Sequence, residues 1–201
     1  MNGMRLSLLL VATLGIFLSG AAAKSLPAGW KTYSDTKLGY SISYPPHWRV
    51  ITDHVYPGFG PDHPIHGVAF EIPEALTKGT NLSSNLTRLS VESVPFVAGK
   101  QCDVARFIPD PRNVRLLHES GMAWIAGDTD DAGAGNLYEI TAFALPNSKP
   151  CLAVRYFVHS TNIGNYDSGT VKAFDRKELL MMFDAIRRTL QTRRDQKRGG
   201  G

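Results

Sequence analysis

The residues able to do chemistry in this chain are few, and most are poorly spaced to work together. Nucleophilic catalysis needs a hydroxyl or thiol beside a base, with a tight turn to present it. No G-x-S-x-G occurs, and the nearest arrangement is His118-Glu119-Ser120-Gly121. Adjacent strand residues point to opposite faces, so these side chains cannot converge as a triad and the segment reads as a turn. Gly133-Ala134-Gly135 is too short for a dinucleotide fingerprint and precedes a strand pattern rather than a helix. The expected catalytic set is empty.

Metal chemistry has a firmer basis. His54, Asp62, His63 and His66, with Asp53 upstream, bring imidazoles and carboxylates into one Pro- and Gly-rich region. These are ligand types that zinc or copper takes. His63-Pro64-Ile65-His66 does not have the spacing of a strong metal motif, and Pro64 suits an irregular loop in either case. Asp128, Asp130 and Asp131 resemble the start of a calcium loop, but no bidentate glutamate follows at the required spacing. They read as part of a solvated, glycine-rich loop over 128–135. No cofactor is expected, with a metal at the His54/Asp62/His63/His66 loop as the alternative.

The first 23 residues read as an export signal: Arg5, an apolar run over 6–20, then Ala21-Ala22-Ala23 as a cleavage site. The run is too short to span a bilayer, so no stable membrane insertion is expected after its removal. The organisation expected is a signal over 1–23, a single domain over 24–192 and a basic disordered tail over 193–201. In an exported chain the only two cysteines, Cys102 and Cys151, favour a disulfide over a free pair or a metal site. The formal charge of +4 suggests nucleic acid at first. Its excess lies in the leader and the tail, however, which leaves the folded body near neutral and gives no nucleic-acid partner. Asn81-Leu82-Ser83 and Asn85-Leu86-Thr87 are glycosylation sequons, meaningful only in a host that uses them.

These residues need elements to position them. The organising stretch is 137–160, two strand patterns joined through Pro146-Asn147-Ser148-Lys149-Pro150. Leu152, Val154, Tyr156 and Val158 alternate with Ala153, Arg155, Phe157 and His159, which puts large apolar groups on both faces of a mid-sheet hairpin. With Thr141 opposite Arg155, Glu139 lies one diagonal step away. Glu139, Arg155 and His159 are then a buried ion pair or an anion site. Tyr56, Phe59 and Tyr166 sit in Gly- and Pro-rich loops, either as a contact surface or as staples for those loops. A last helix is marked by Asp175 with Glu178 three residues on, a capping box. An apolar stripe of Leu179, Met182, Phe183, Ile186 and Leu190 follows.

The opening strand Gly39-Tyr40-Ser41-Ile42-Ser43-Tyr44-Pro45-Pro46 with Trp48, and the closing helix over 183–190, resemble one known domain. It is shared by PsbP, the extrinsic subunit of photosystem II, and the Ran-binding nuclear-import factors. The resemblance implies an antiparallel sheet flanked by helices, an α/β/α sandwich of the α+β class, in a non-catalytic accessory protein. The cysteine pair and the segments 132–139 and 157–166 look more like exported bacterial proteins of uncharacterised function. The expectation is therefore a periplasmic or secreted protein that binds a partner protein or a small molecule in the cell envelope. The alternative is a metal-binding protein or hydrolase built on the histidine loop.

Overall fold

The computed structural model describes residues 27–193. The expected leader, and all of the expected basic tail except Arg193, lie outside the described residues. Two antiparallel sheets make up the fold. A small one pairs β1 (Lys31–Asp35), β2 (Tyr40–Tyr44) and β10 (Gln191–Thr192), with β2 in the middle. The large one holds β3 (Arg49–Tyr56), β4 (Ile65–Glu71), β5 (Arg88–Val94), β6 (Arg112–Glu119), β7 (Met122–Gly133), β8 (Asn136–Ala144) and β9 (Cys151–Thr161). Its order is β3-β4-β5-β9-β8-β7-β6, two meanders joined where β5 meets β9. The β8–β9 hairpin is central, as its two-sided apolar pattern implies.

The helix α1 (Arg176–Arg187) forms where the sequence places it. Asp175 caps it, its side chain accepting from the Glu178 amide at 2.9 Å. Leu179, Phe183, Ile186 and Leu190 are buried on the large sheet against Phe70, Leu89, Trp124, Phe143 and Tyr156. The small sheet shares this face: Tyr33 and Tyr44 of β1 and β2 pack on Phe70 of β4.

The expected helix-flanked sandwich is overturned on the other face. Among the described residues α1 is the single α-helix, and the fold is predominantly β. The opposite face is covered by the connection 95–111, a strap with one 3-10 turn at Val104–Arg106. Pro95, Pro109 and Pro111 prevent a continuous helix there, since proline lacks the amide and clashes with the preceding turn. The strap lies close because the sheet beneath it is small: Ala142, Ala144 and Ala153 are fully buried under Val104, Phe107 and Ile108. A Cys102–Cys151 disulfide, Cα atoms 5.4 Å apart, fastens it to the start of β9.

A second correction concerns 128–135. Asp128 to Gly133 is the far half of β7, in register with β8 as far as Gly133 opposite Asn136. The acidic run reads as a loop by composition. It stays in strand conformation because Arg112 and Arg115 of β6 pair with Asp130 and Asp128. The Ser120-Gly121 turn behaves as expected: φ of +51° and +78° give the left-handed pair of a two-residue hairpin.

Candidate functional site

Two polar assemblies stand out, one sealed under the strap and one open beside α1. The sealed one is built by register. Ser90 of β5 lies opposite Arg155 of β9, and Glu92 lies opposite Ala153, one diagonal step away. Arg155 donates from Nε to both Glu92 oxygens at 3.0 Å, from Nη2 to Oε2 at 2.5 Å, and from Nη2 to the Phe107 carbonyl at 2.7 Å. Ser90 Oγ donates to Glu92 Oε1 at 2.7 Å, and His54 Nε2 lies 3.2 Å from the same oxygen. His54 reaches it across Gly67, the residue paired with both His54 and Glu92. A Cβ on Gly67 would lie 2.2 Å from the Val91 carbonyl oxygen. The Tyr56 ring covers the guanidinium at 3.4 Å.

Burial alone would raise the Glu92 pKa. The Arg155 charge and the hydrogen bonds from His54, Arg155 and Ser90 outweigh it and hold the carboxyl at about 2. Burial likewise pushes the Tyr56 hydroxyl up against the opposing pull of Arg155. Glu92 and Arg155 are no more than 1% exposed, so this assembly is structural in its chemistry: both Glu92 oxygens accept from donors of the chain itself.

The expected site residues fall as follows. Arg155 lies opposite Ala142, not Thr141, so Glu139 stands on the other face of the sheet, where it pairs with Arg176 at 2.6 Å. His159 shares Arg155's face, but four residues along β9 put it about 13 Å away. Its ring stacks on Tyr138 at 4.8 Å, with Nδ1 2.9 Å from the Asn85 carbonyl and Nε2 2.9 Å from Asn136 Oδ1. The expected trio is therefore not brought together.

The histidine loop does not converge either. His54 is buried on Glu92, and His66, one position out of register with it, takes the opposite face, while Asp53, Asp62 and His63 are exposed. Among the described residues no group of three or more His, Cys, Asp or Glu is placed to hold a metal. Of the three aromatics, Tyr56 is buried over Arg155, Phe59 packs half-buried beside it, and Tyr166 alone is exposed, at 38%. Tyr56 belongs to the core because β3 extends to it, opposite Ile65. Asn81 of the first sequon is buried, its side chain bonded to the Thr161 carbonyl and the Phe174 amide.

The open assembly was not expected from sequence. A groove of about 490 Å³ runs between β6–β8 and the first two turns of α1. Thr141, Phe143 and Tyr156 form its floor, and charged side chains form its walls. Arg176 faces Glu139, Arg112 pairs with Asp130, and Asp128 takes Asn113 Nδ2 at 2.9 Å and Arg115 Nη1 at 3.9 Å. Asp130 and Glu139 are cross-strand partners, a like-charge pair that is unfavourable unless each meets a cation. Arg112 and Arg176 supply those cations from either side.

Behind the groove Arg187 is buried, donating from Nε to the Tyr156 hydroxyl at 2.8 Å and from Nη2 to Glu119 at 2.5 Å and Asp184 at 3.0 Å. It lies 4.1 Å over Phe143. Burial, mainly, pushes the Tyr156 hydroxyl well above its ordinary value, so it stays a proton donor, here to Asp184 at 2.9 Å. The hydrogen bond from Arg187 is the main cause holding Glu119 below the usual carboxylate range. The signal for the sealed assembly was present in Leu89-Ser90-Val91-Glu92, where one strand face is polar mid-sheet. For the groove there was none, because its walls come from strands and a helix far apart in sequence.

No family model matches the chain, and no curated protein matches it. Among solved structures it is similar to the solution structure of cyanobacterial PsbP (CyanoP) from Synechocystis sp. PCC 6803, at 17% identity and a TM-score of 0.45, covering 87% of this chain and 98% of that one. It is also similar to a crystal structure from Bacteroides thetaiotaomicron VPI-5482, at 12% identity and a TM-score of 0.47, covering 82% of this chain and about half (49%) of that one. Likenesses at this level carry no argument about function.

Proposed function

We propose that the protein is an exported, non-catalytic accessory protein, and that it binds a short polar ligand or a segment of a partner protein in the groove beside α1. The observation that carries this reading is the groove itself. Its volume lies within the range of ligand sites, and it presents both signs of charge over a floor of Thr141, Phe143 and Tyr156. A ligand with an amine and a carboxylate, such as a short peptide, can exchange its charges with the Arg176–Glu139 and Arg115–Asp128 pairs without leaving any group unpaired. The disulfide supports export, since such bonds persist in oxidising compartments.

The test is titration of the folded protein with a set of zwitterionic tripeptides, followed by amide chemical shifts. Changes grouped at Asp128, Asp130, Thr141 and Leu180, and lost in Arg176→Ala, are expected. Changes grouped elsewhere would move the site, and peptide cleavage detected by mass spectrometry would overturn the non-catalytic reading.

A further inference from the structure

β6 closes the large sheet on one side, and among the described residues no strand pairs with its outer edge. The two-residue turn sets Glu119 opposite Met122, so the backbone groups of Arg115, Leu117 and Glu119 bond to β7. Those of Val114, Leu116 and His118 then face outward, a free template for another strand. Val114 and Leu116 are 55% and 60% exposed, although their types are those of a covered strand. On the α1 side the order along β6 is cation, aliphatic, anion: Arg115, Leu117, Glu119.

That order is its own complement under two-fold rotation. We propose that β6 pairs antiparallel with β6 of a second copy, about a two-fold axis at Leu117, joining the two large sheets into one. Arg115 then lies opposite Glu119 of the partner subunit, Glu119 opposite the partner's Arg115, and Leu117 against the partner's Leu117. On the outer face Leu116 meets His118 of the partner subunit, with the two Leu116 side chains diagonal to each other. Neighbouring registers lose this match. Centring on Leu116 puts Arg115 opposite the partner's Leu117, and centring on Arg115 sets like charges face to face.

Two features support this register. Glu119 is already oriented, its two oxygens held by Arg187 at 2.5 Å and Arg188 at 3.2 Å. Arg115, by contrast, has only exposed contacts, donating to the Asn113 carbonyl at 3.1 Å and approaching Asp128 at 3.9 Å, which it can exchange for a carboxylate of the partner subunit. The ladder is also bounded: Asn113, at φ +50°, sits in an irregularity between Arg112 and Arg115 and ends the pairing one side of Val114. The contact is short, so association should depend on concentration. It should also weaken with salt, as an ion pair at a solvent-exposed edge does.

Sedimentation velocity of the folded, oxidised protein at rising concentration tests this. The expected result is a dimer fraction that grows with concentration and falls at high salt. Leu116→Pro removes an outward amide that β7 does not use, and Arg115→Glu sets a carboxylate against Glu119 of the partner subunit. Each should abolish the dimer, with melting temperatures measured beside the parent's to show that the monomer still folds. A parent that stays monomeric throughout, including when a different chain proves to occupy the edge, overturns the proposal. So does a dimer that survives both substitutions in folded protein.

Discussion

Arg155 faces Ala142 across the central hairpin, and that single position decides which carboxylate it meets. Because side chains alternate, a pairing with Thr141 would have turned Arg155 toward α1 and Glu139. The observed register turns it toward the strap, where Glu92 accepts three of its bonds.

Glu92→Gln should therefore be severe and Glu139→Gln mild. The first leaves a buried guanidinium without its counter-charge, at a cost of about 3 to 5 kcal/mol. The second removes one partner of a surface pair worth about 0 to 1 kcal/mol. Urea denaturation at neutral pH measures both, and equal losses would contradict the assignment of Arg155 to Glu92.

The same carboxylate sets an acid limit. Glu92 titrates at about 2 in the folded protein, against 4.5 for the ordinary group. The unfolded chain thus binds the proton more readily, and the stabilisation is present above pH 4.5 and lost as pH falls toward 2. It amounts to roughly 3 kcal/mol. Urea midpoints recorded from pH 7 down to 2.5 should fall steeply in the parent and less steeply in Glu92→Gln; parallel curves would assign the acid sensitivity to other groups.

Reduction of Cys102–Cys151 should lower stability by about 4 kcal/mol in the chain-entropy account of a loop this long. For a domain of this size that corresponds to roughly 10 °C in melting temperature. Calorimetry with and without reductant measures it. No shift would mean the strap is held by packing on Ala142, Ala144 and Ala153 alone.

Gly67→Ala should destabilise by about 1 to 3 kcal/mol, although the change adds one methyl group. The added carbon meets the Val91 carbonyl of β5, a backbone atom that cannot swing aside. A crystal structure of the variant should show β4 displaced from β5 and His54 drawn off Glu92. An unshifted, equally stable variant would show that the strands have slack there.

What was legible in the sequence follows from which forces are local. The α1 cap and stripe depend on residues within one turn of each other, and the β8–β9 alternation on a period of two, so both could be read directly. The disulfide followed from cysteine count and the compartment the leader implied. Register was not legible, because the turn from Leu145 to Pro150 can set either pairing and a slip of one residue changes every facing partner. Nor was the strand character of Asp128 to Gly133, which depends on arginines brought alongside by β6. Tyr56 was misplaced for the same reason: its proline-rich neighbours indicate a loop, while Arg155, far along the chain, gives its ring something to cover.

The strand order also bears on how the chain reaches this fold. β3-β4-β5 and β6-β7-β8-β9 are each runs of neighbours in sequence, able to form early from short-range contacts. Within the large sheet only the β5–β9 seam brings together distant segments, and its closing pair is Val94 with Cys151. Once Cys102 is bonded to Cys151, the search that closes the seam shrinks from the whole stretch Val94–Cys151 to Val94–Cys102. The bond therefore bears on the order of assembly as well as on the finished structure. A chain oxidised before it folds closes that seam at an entropic cost lower by about 1 to 2 kcal/mol than a chain that folds first.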